Sequence, residues 1–99
     1  RSGEHVNSVT LVGALHFIKG TQVKEASGGR YFRFSLKLDS VDRAGIPRHD
    51  YILVRAFDPE AQAWIREQEE GALIRLEGSV RASVGSGEMY VLAEKLERG

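Results

Sequence analysis

Apolar and polar residues alternate along most of this chain, and a single helical period interrupts them. From His5 to Phe17, Asn7, Val9, Leu11, Gly13 and Leu15 alternate with Val6, Ser8, Thr10, Val12 and Ala14, which predicts one long strand. A glycine inside a strand weakens pairing unless the sheet curves there or another backbone comes close, so Gly13 is expected at such a corner. Lys19 to Arg30 gathers Gly20, Ser27, Gly28 and Gly29 among polar residues and reads as a flexible connection. Alternation resumes from Tyr31 to Asp39, with Phe32, Phe34, Leu36 and Leu38 inward and Tyr31, Arg33, Ser35, Lys37 and Asp39 outward. Ser40 to His49, which holds Asp42, Gly45 and Pro47, reads as a hairpin connection.

The stretch from Asp50 to Arg81 brings three elements in succession. Ile52, Val54 and Ala56 share one face of a third strand, while Tyr51, Leu53, Arg55 and Phe57 share the other, which is too aromatic and basic for ordinary solvent-facing surface. Asp58-Pro59-Glu60 is a helix start: a carboxylate to cap free N–H groups, a proline with preset φ, and an acid favoured by the helix dipole. Ala61, Trp64 and Ile65 form one apolar stripe, and Gly71 is expected to end the helix. From Ala72 the period is two again, with Ile74, Leu76, Gly78 and Val80 opposite Leu73, Arg75, Glu77, Ser79 and Arg81. Gly85-Ser86-Gly87 turns the chain into a last strand, Met89 to Leu96. Its facing stays open, because Tyr90, Leu92 and Leu96 compete with Met89, Val91 and Ala93 for the core. The predicted fold is all-β: a five-stranded OB-fold, a Greek-key barrel with one α-helix between its third and fourth strands, of the kind that holds oligonucleotides on strands two and three.

Composition narrows the function. With 99 residues, 41% of them hydrophobic, the chain is expected to form a single domain spanning 1–99, behind a disordered N-terminus at 1–4. No apolar run approaches a membrane span and no hydrophobic signal core follows Arg1-Ser2-Gly3-Glu4, so no membrane association and a cytoplasmic location are expected. The absence of cysteine removes disulfides and thiolate metal sites. His5, His16 and His49 lie in separate segments without metal-ligand spacing, and Gly28-Gly29 lacks the following helix and Gly-Lys-Ser/Thr of a phosphate loop. No nucleophile, base and orienting group gather, so neither an enzyme nor a cofactor is expected. Net charge is zero, but between Asp58 and Glu70 five acids face Arg66 alone; that segment carries −4 and, with 14 basic and 14 acidic residues in all, the remainder carries +4. The acids read as a solvated helix face, and the split leaves the sheet positive, as an anionic ligand requires.

Nearly the whole chain resembles the bacterial single-stranded DNA-binding proteins. Asn7-Ser8-Val9-Thr10-Leu11-Val12-Gly13-Ala14-Leu15 is similar to that family's opening Asn-x-Val-x-Leu-Val-Gly-x-Leu, Gly28-Gly29 precedes a strand reading Phe-x-Leu at Phe34 to Leu36, and Leu76-Glu77-Gly78 resembles its Ile-Glu-Gly. Tyr51 falls where the family has a base-stacking tryptophan, and Phe57 where it has a stacking phenylalanine. The family's tryptophan at the end of the second strand is met by Asp39 or Ser40, its longer basic fourth loop by Ala82 to Gly87, and its acidic tail is missing after Leu96-Glu97-Arg98-Gly99, as in a truncated chain. The reduced aromatic set also resembles the primosomal replication protein B group, which contacts a helicase as well as DNA.

Binding single strands needs planar groups on which bases stack and positive charge along the phosphates. Tyr31, Tyr51 and Phe57 are the candidate stacking residues, Leu53 lies on their face, and Arg33, Lys37, Arg55, Arg75 and Arg81 are the candidate cations. The competing reading turns Phe57 inward and leaves the arginines as solubilising charges. Trp64, with Ala61 and Ile65, reads as core packing. The expected function is single-stranded DNA binding without sequence specificity in replication, recombination or repair, in a cytoplasmic, nucleoid-associated setting. The alternative is a primosomal protein-interaction module with weak DNA binding and replication or helicase partners. The first strand, apolar on one side and partly so on the other, is expected to pair with a second copy, and the resemblance implies a dimer or tetramer through it.

Overall fold

Phe32, Phe34 and Leu36 project from one side of a 13-residue strand and are at most 1% exposed; the other elements wrap about them. The computed structural model describes residues 4–20, 22–26 and 29–99. Its elements are β1 (Val9–His16), β2 (Val23–Ala26), β3 (Gly29–Val41), β4 (Pro47–Ala56), α1 (Pro59–Arg66), β5 (Leu73–Ala82) and β6 (Met89–Arg98). The core adds Leu15 from β1, Val54 and Ala56 from β4, Ile65 from α1, Ile74 and Leu76 from β5, and Val91 and Ala93 from β6. The strands hydrogen-bond in the order β1-β5-β6-β4-β3-β2, and β1 also pairs with β3, so the sheet curls back on its first strand. Every pairing is antiparallel except β4 with β6, a parallel link of Val54 with Val91 and Arg55 with Leu92. This is the OB-fold, with β1, β3, β4, β5 and β6 as its strands and α1 after the third of them. No helix among the described residues is long and apolar enough to cross a membrane.

Several boundaries differ from those the alternation suggests. The predicted first connection contains β2, which pairs along Gly29 to Phe32 at the start of β3. Four residues beside glycine and serine are too few to show a period. Thr21, Ser27 and Gly28 of that connection, and residues 1–3 of the N-terminus, lie outside the described residues. β3 and β4 also run into the predicted hairpin connection, pairing as far as Val41 with Pro47. β1 starts at Val9 rather than His5, because Asn7 pairs through its side chain: its Nδ2 donates to the Val80 carbonyl at 2.6 Å, and its Oδ1 accepts from the Val80 N–H at 2.8 Å. At Gly13, expected at a corner of the sheet, another backbone comes close: a Cβ there would lie 2.7 Å from the Lys37 carbonyl oxygen. One residue later, Ala14 is in register with both Leu73 of β5 and Lys37 of β3.

The Asp58 carboxylate caps α1 by accepting from the Ala61 N–H at 3.2 Å, as its sequence suggests. The helix ends at Arg66 instead of running to Gly71. Glu67, Glu69 and Glu70 follow, and negative charge opposes the negative end of a helix dipole. Gly71, at φ 87°, serves the turn into β5, where its N–H donates to the Leu15 carbonyl at 2.8 Å. The open facing of the last strand has a structural cause. A register shift between Glu77 and Gly78 pairs Glu77 with Lys95 but Gly78 with Ala93, so Glu94 is passed over. Odd residues Val91 and Ala93 therefore enter the core before the shift and Leu96 packs against it after, each competing set being correct for part of the strand.

Candidate nucleic-acid interface

Because Phe32, Phe34 and Leu36 of β3 and Val54 and Ala56 of β4 point inward, the intervening residues share an outer face in antiparallel register: Arg33 opposite Arg55, Ser35 opposite Leu53, and Lys37 opposite Tyr51. Phe57 continues this face just past β4, its ring centroid 5.0 Å from that of Tyr31. Seven of the nine candidate residues thus come together: Tyr31, Arg33, Lys37, Tyr51, Leu53, Arg55 and Phe57.

Within the group the exposures are unequal. Tyr51 is 56% exposed, with the His16 ring packed edge-on at 5.1 Å. Tyr31 lies on the outer face as alternation requires but is only 5% exposed, which corrects the expectation of an outward, open ring. Phe57 covers it, and the Arg55 guanidinium carbon lies 4.7 Å from its centroid. The same carbon is 4.0 Å from the centroid of Tyr90, so Arg55 sits between two tyrosine rings supplied by β3 and β6. Arg81 is exposed on β5 in register with Tyr90, which carries positive charge to the β6 side of the group.

Two candidate cations sit in mixed-charge surroundings. Arg75 is on the outer face of β5, bonded to Glu77 and, at 3.1 Å, to Glu97, and so lies apart from the β3–β4 face among its own carboxylates. The bond to Arg75 in turn holds the Glu77 carboxyl below its usual value. Lys37 has its amine 4.0 Å from Asp39, whose Oδ1 is 2.6 Å from His49 Nδ1. That hydrogen bond draws the Asp39 carboxyl below the ordinary range. Trp64 packs against the core, as its stripe suggests. Among the described residues no group of histidine, cysteine and carboxylate side chains is placed to hold a metal ion.

Tyr90 and His16 join the site without having been singled out in the sequence. The register shift hid Tyr90, since the facing of its strand was ambiguous; His16 is isolated in sequence and reaches Tyr51 only because β1 pairs with β3 at His16–Ser35. His16 is further tied to the turn before β5, where Glu70 has its Oε2 2.9 Å from His16 Nδ1 and its Oε1 accepts the Phe17 N–H at 2.8 Å. The backbone donor, with His16 second, holds the Glu70 carboxyl below its ordinary value. A depressed carboxyl contributes stability above the ordinary carboxylate range and loses it as pH falls through the lowered value. The stability gap between the wild type and Glu70→Gln, from urea midpoints, is therefore expected to be widest near neutrality and to narrow below about pH 4.3; a gap constant with pH would remove Glu70 from this role.

No protein-family model matches the sequence, and neither does any curated protein. Solved structures do. The single-stranded DNA-binding protein from Thermus aquaticus is 26% identical, with a TM-score of 0.69 over 95% of this chain and 50% of its own. The chain therefore spans about half the length of that relative. The mitochondrial single-stranded DNA-binding protein from S. cerevisiae is 15% identical, with a TM-score of 0.72 over 96% of this chain and 95% of its own. PriB from Ralstonia solanacearum is 11% identical, with a TM-score of 0.70 over 95% and 98%. In fold, the structural relatives of this chain are the bacterial and mitochondrial single-stranded DNA-binding proteins and PriB, the group that its sequence motifs resemble.

Proposed function

We propose that this protein binds single-stranded DNA with little sequence preference, in replication, recombination or repair and in a cytoplasmic, nucleoid-associated setting. The observation that carries this reading is the β3–β4 outer face, where the exposed Tyr51 ring is in register with Lys37 and, four residues further along the same face, Arg33 is in register with Arg55, on the surface that OB-folds use for oligonucleotides. Every base has a π-face, so stacking on Tyr51 tolerates any sequence, while the arginines meet the phosphates common to all. The T. aquaticus and S. cerevisiae relatives are named for the same activity. Titration with dT oligomers over a range of salt tests it: tight, salt-sensitive binding is expected, and its absence would overturn the reading.

A protein-interaction role beside weak DNA binding is favoured by one observation, the burial of Tyr31, which leaves Tyr51 as the well-exposed aromatic of the β3–β4 face. In that case replication or helicase proteins would be the main partners, and the same titration would show only weak binding.

Self-association through β1 belongs to this proposal. Val12 is 48% exposed on β1 and Leu73 is 53% exposed on β5, on the outer surface where the two strands pair. Light scattering over a dilution series is expected to give two or four times 11.0 kDa, and Val12→Glu with Leu73→Glu should return the mass to that of one chain. A wild-type mass of one chain throughout would sink it.

A further inference from the structure

We propose that Tyr31 and Tyr90 are positioning residues for Arg55, which anchors a phosphate, and that they do not stack on bases themselves. The inference rests on the proposed single-strand binding and assigns roles within that surface. Tyr31 is 5% exposed, its surroundings occupied by Phe57 at 5.0 Å and Arg55 at 4.7 Å, so no base reaches its ring in this arrangement. Tyr90 approaches the same guanidinium still more closely, at 4.0 Å. Both distances fall inside the range in which a cation is attracted to an aromatic ring. The two rings come from different strands, β3 and β6, which flank β4 in the sheet, so the clamp spans the three strands that build the face.

Holding Arg55 there has a physical consequence. A free arginine loses rotamer entropy when it grips a ligand, whereas a guanidinium already fixed between rings has lost it on folding. Arg33 lies directly across from Arg55 in the β3–β4 register, so both arginines belong to the same stretch of the face.

A positioning role and a stacking role differ in their salt dependence. Arg55→Ala is expected to lower the slope of log K against log salt for dT oligomers by about 0.7, the loss of one phosphate contact to a single strand. Tyr90→Leu, which keeps an apolar cover but no ring, should lower the slope similarly, Tyr90→Phe should restore it, and Tyr90→Leu combined with Arg55→Ala should be no worse than Arg55→Ala alone. Affinity lost equally at every salt concentration in Tyr90→Leu, with the slope unchanged and the losses additive, would make Tyr90 a stacking residue and overturn the inference alone. Wild-type protein that binds no dT oligomer would overturn the functional reading, and the inference with it.

Discussion

Replacing Tyr51 and Phe57 together by alanine is expected to weaken binding of dT oligomers by roughly 2–6 kcal/mol, since each base–aromatic stack contributes about 1–3 kcal/mol. The two residues should contribute in different ways. Tyr51 is 56% exposed and touches His16 edge-on, so a ring face is available to a base and its removal disturbs little else. Tyr51→Ala alone should lower affinity without changing the salt slope, because no phosphate contact goes with it. Phe57 is half-buried against Tyr31, at 5.0 Å, and Tyr31 in turn lies beside Arg55. Phe57→Ala should therefore also loosen the Arg55 clamp and reduce the salt slope. Fluorescence anisotropy at several salt concentrations separates the two effects, with thermal unfolding showing that the variants are folded. Unchanged affinity in a folded double variant would remove this face from the binding site.

How much of this arrangement the sequence reveals depends on whether each feature is local. Phe32, Phe34, Leu36, Val54, Ile74 and Leu76 follow strict alternation on long strands, and all reach the core. Asp58, Pro59 and Glu60 specify a helix start with nearby backbone groups, and the cap forms as expected. The outer face of β3 and β4 is legible for the same reason, because two inward sets in antiparallel pairing force the outward sets together. Features that depend on a distant partner are not legible. The shift at Glu77 and Gly78 changes which residues of β6 face inward, so a fixed period of two cannot follow it or assign Tyr90 a side. Alternation gives the side of the sheet on which Tyr31 lies but not what covers it; Arg55 and Phe57 do so only after β4 pairs with β3. Arg75 has Glu77 two residues along its own face in the sequence, but Glu97 joins it only once β5 and β6 are paired.

Gly78→Ala is expected to destabilise the fold by about 3 kcal/mol, at the upper end of what overpacking of a well-packed site costs. A Cβ at residue 78 would lie 1.9 Å from the Leu92 carbonyl oxygen and 3.0 Å from its carbon, and the clash is with main chain, which no rotamer change can relieve. At Gly13 the nearest atom is the Leu38 Cδ2 at 2.6 Å, part of a movable side chain, although the Lys37 carbonyl at 2.7 Å makes alanine costly there as well. Gly78 stands at the register shift, where β6 is drawn close to β5, so accepting a methyl group means separating the two strands. The consequences extend beyond the ladder. Leu92 is also in register with Arg55 through the short parallel link, and Tyr90, two residues earlier, is one wall of the Arg55 clamp. Displacing β6 at Leu92 should thus disturb both the connection between β4 and β6 and the guanidinium that the face presents. At about 4–8 °C per kcal/mol for a chain of this size, the melting temperature should fall by roughly 12–24 °C. In whatever fraction stays folded, the salt slope for dT oligomers should drop as it does in Tyr90→Leu. A Gly78→Ala variant that melts and binds like the wild type would show that β6 can leave β5 at this point without cost, and the close approach at the shift would then have no part in holding the clamp.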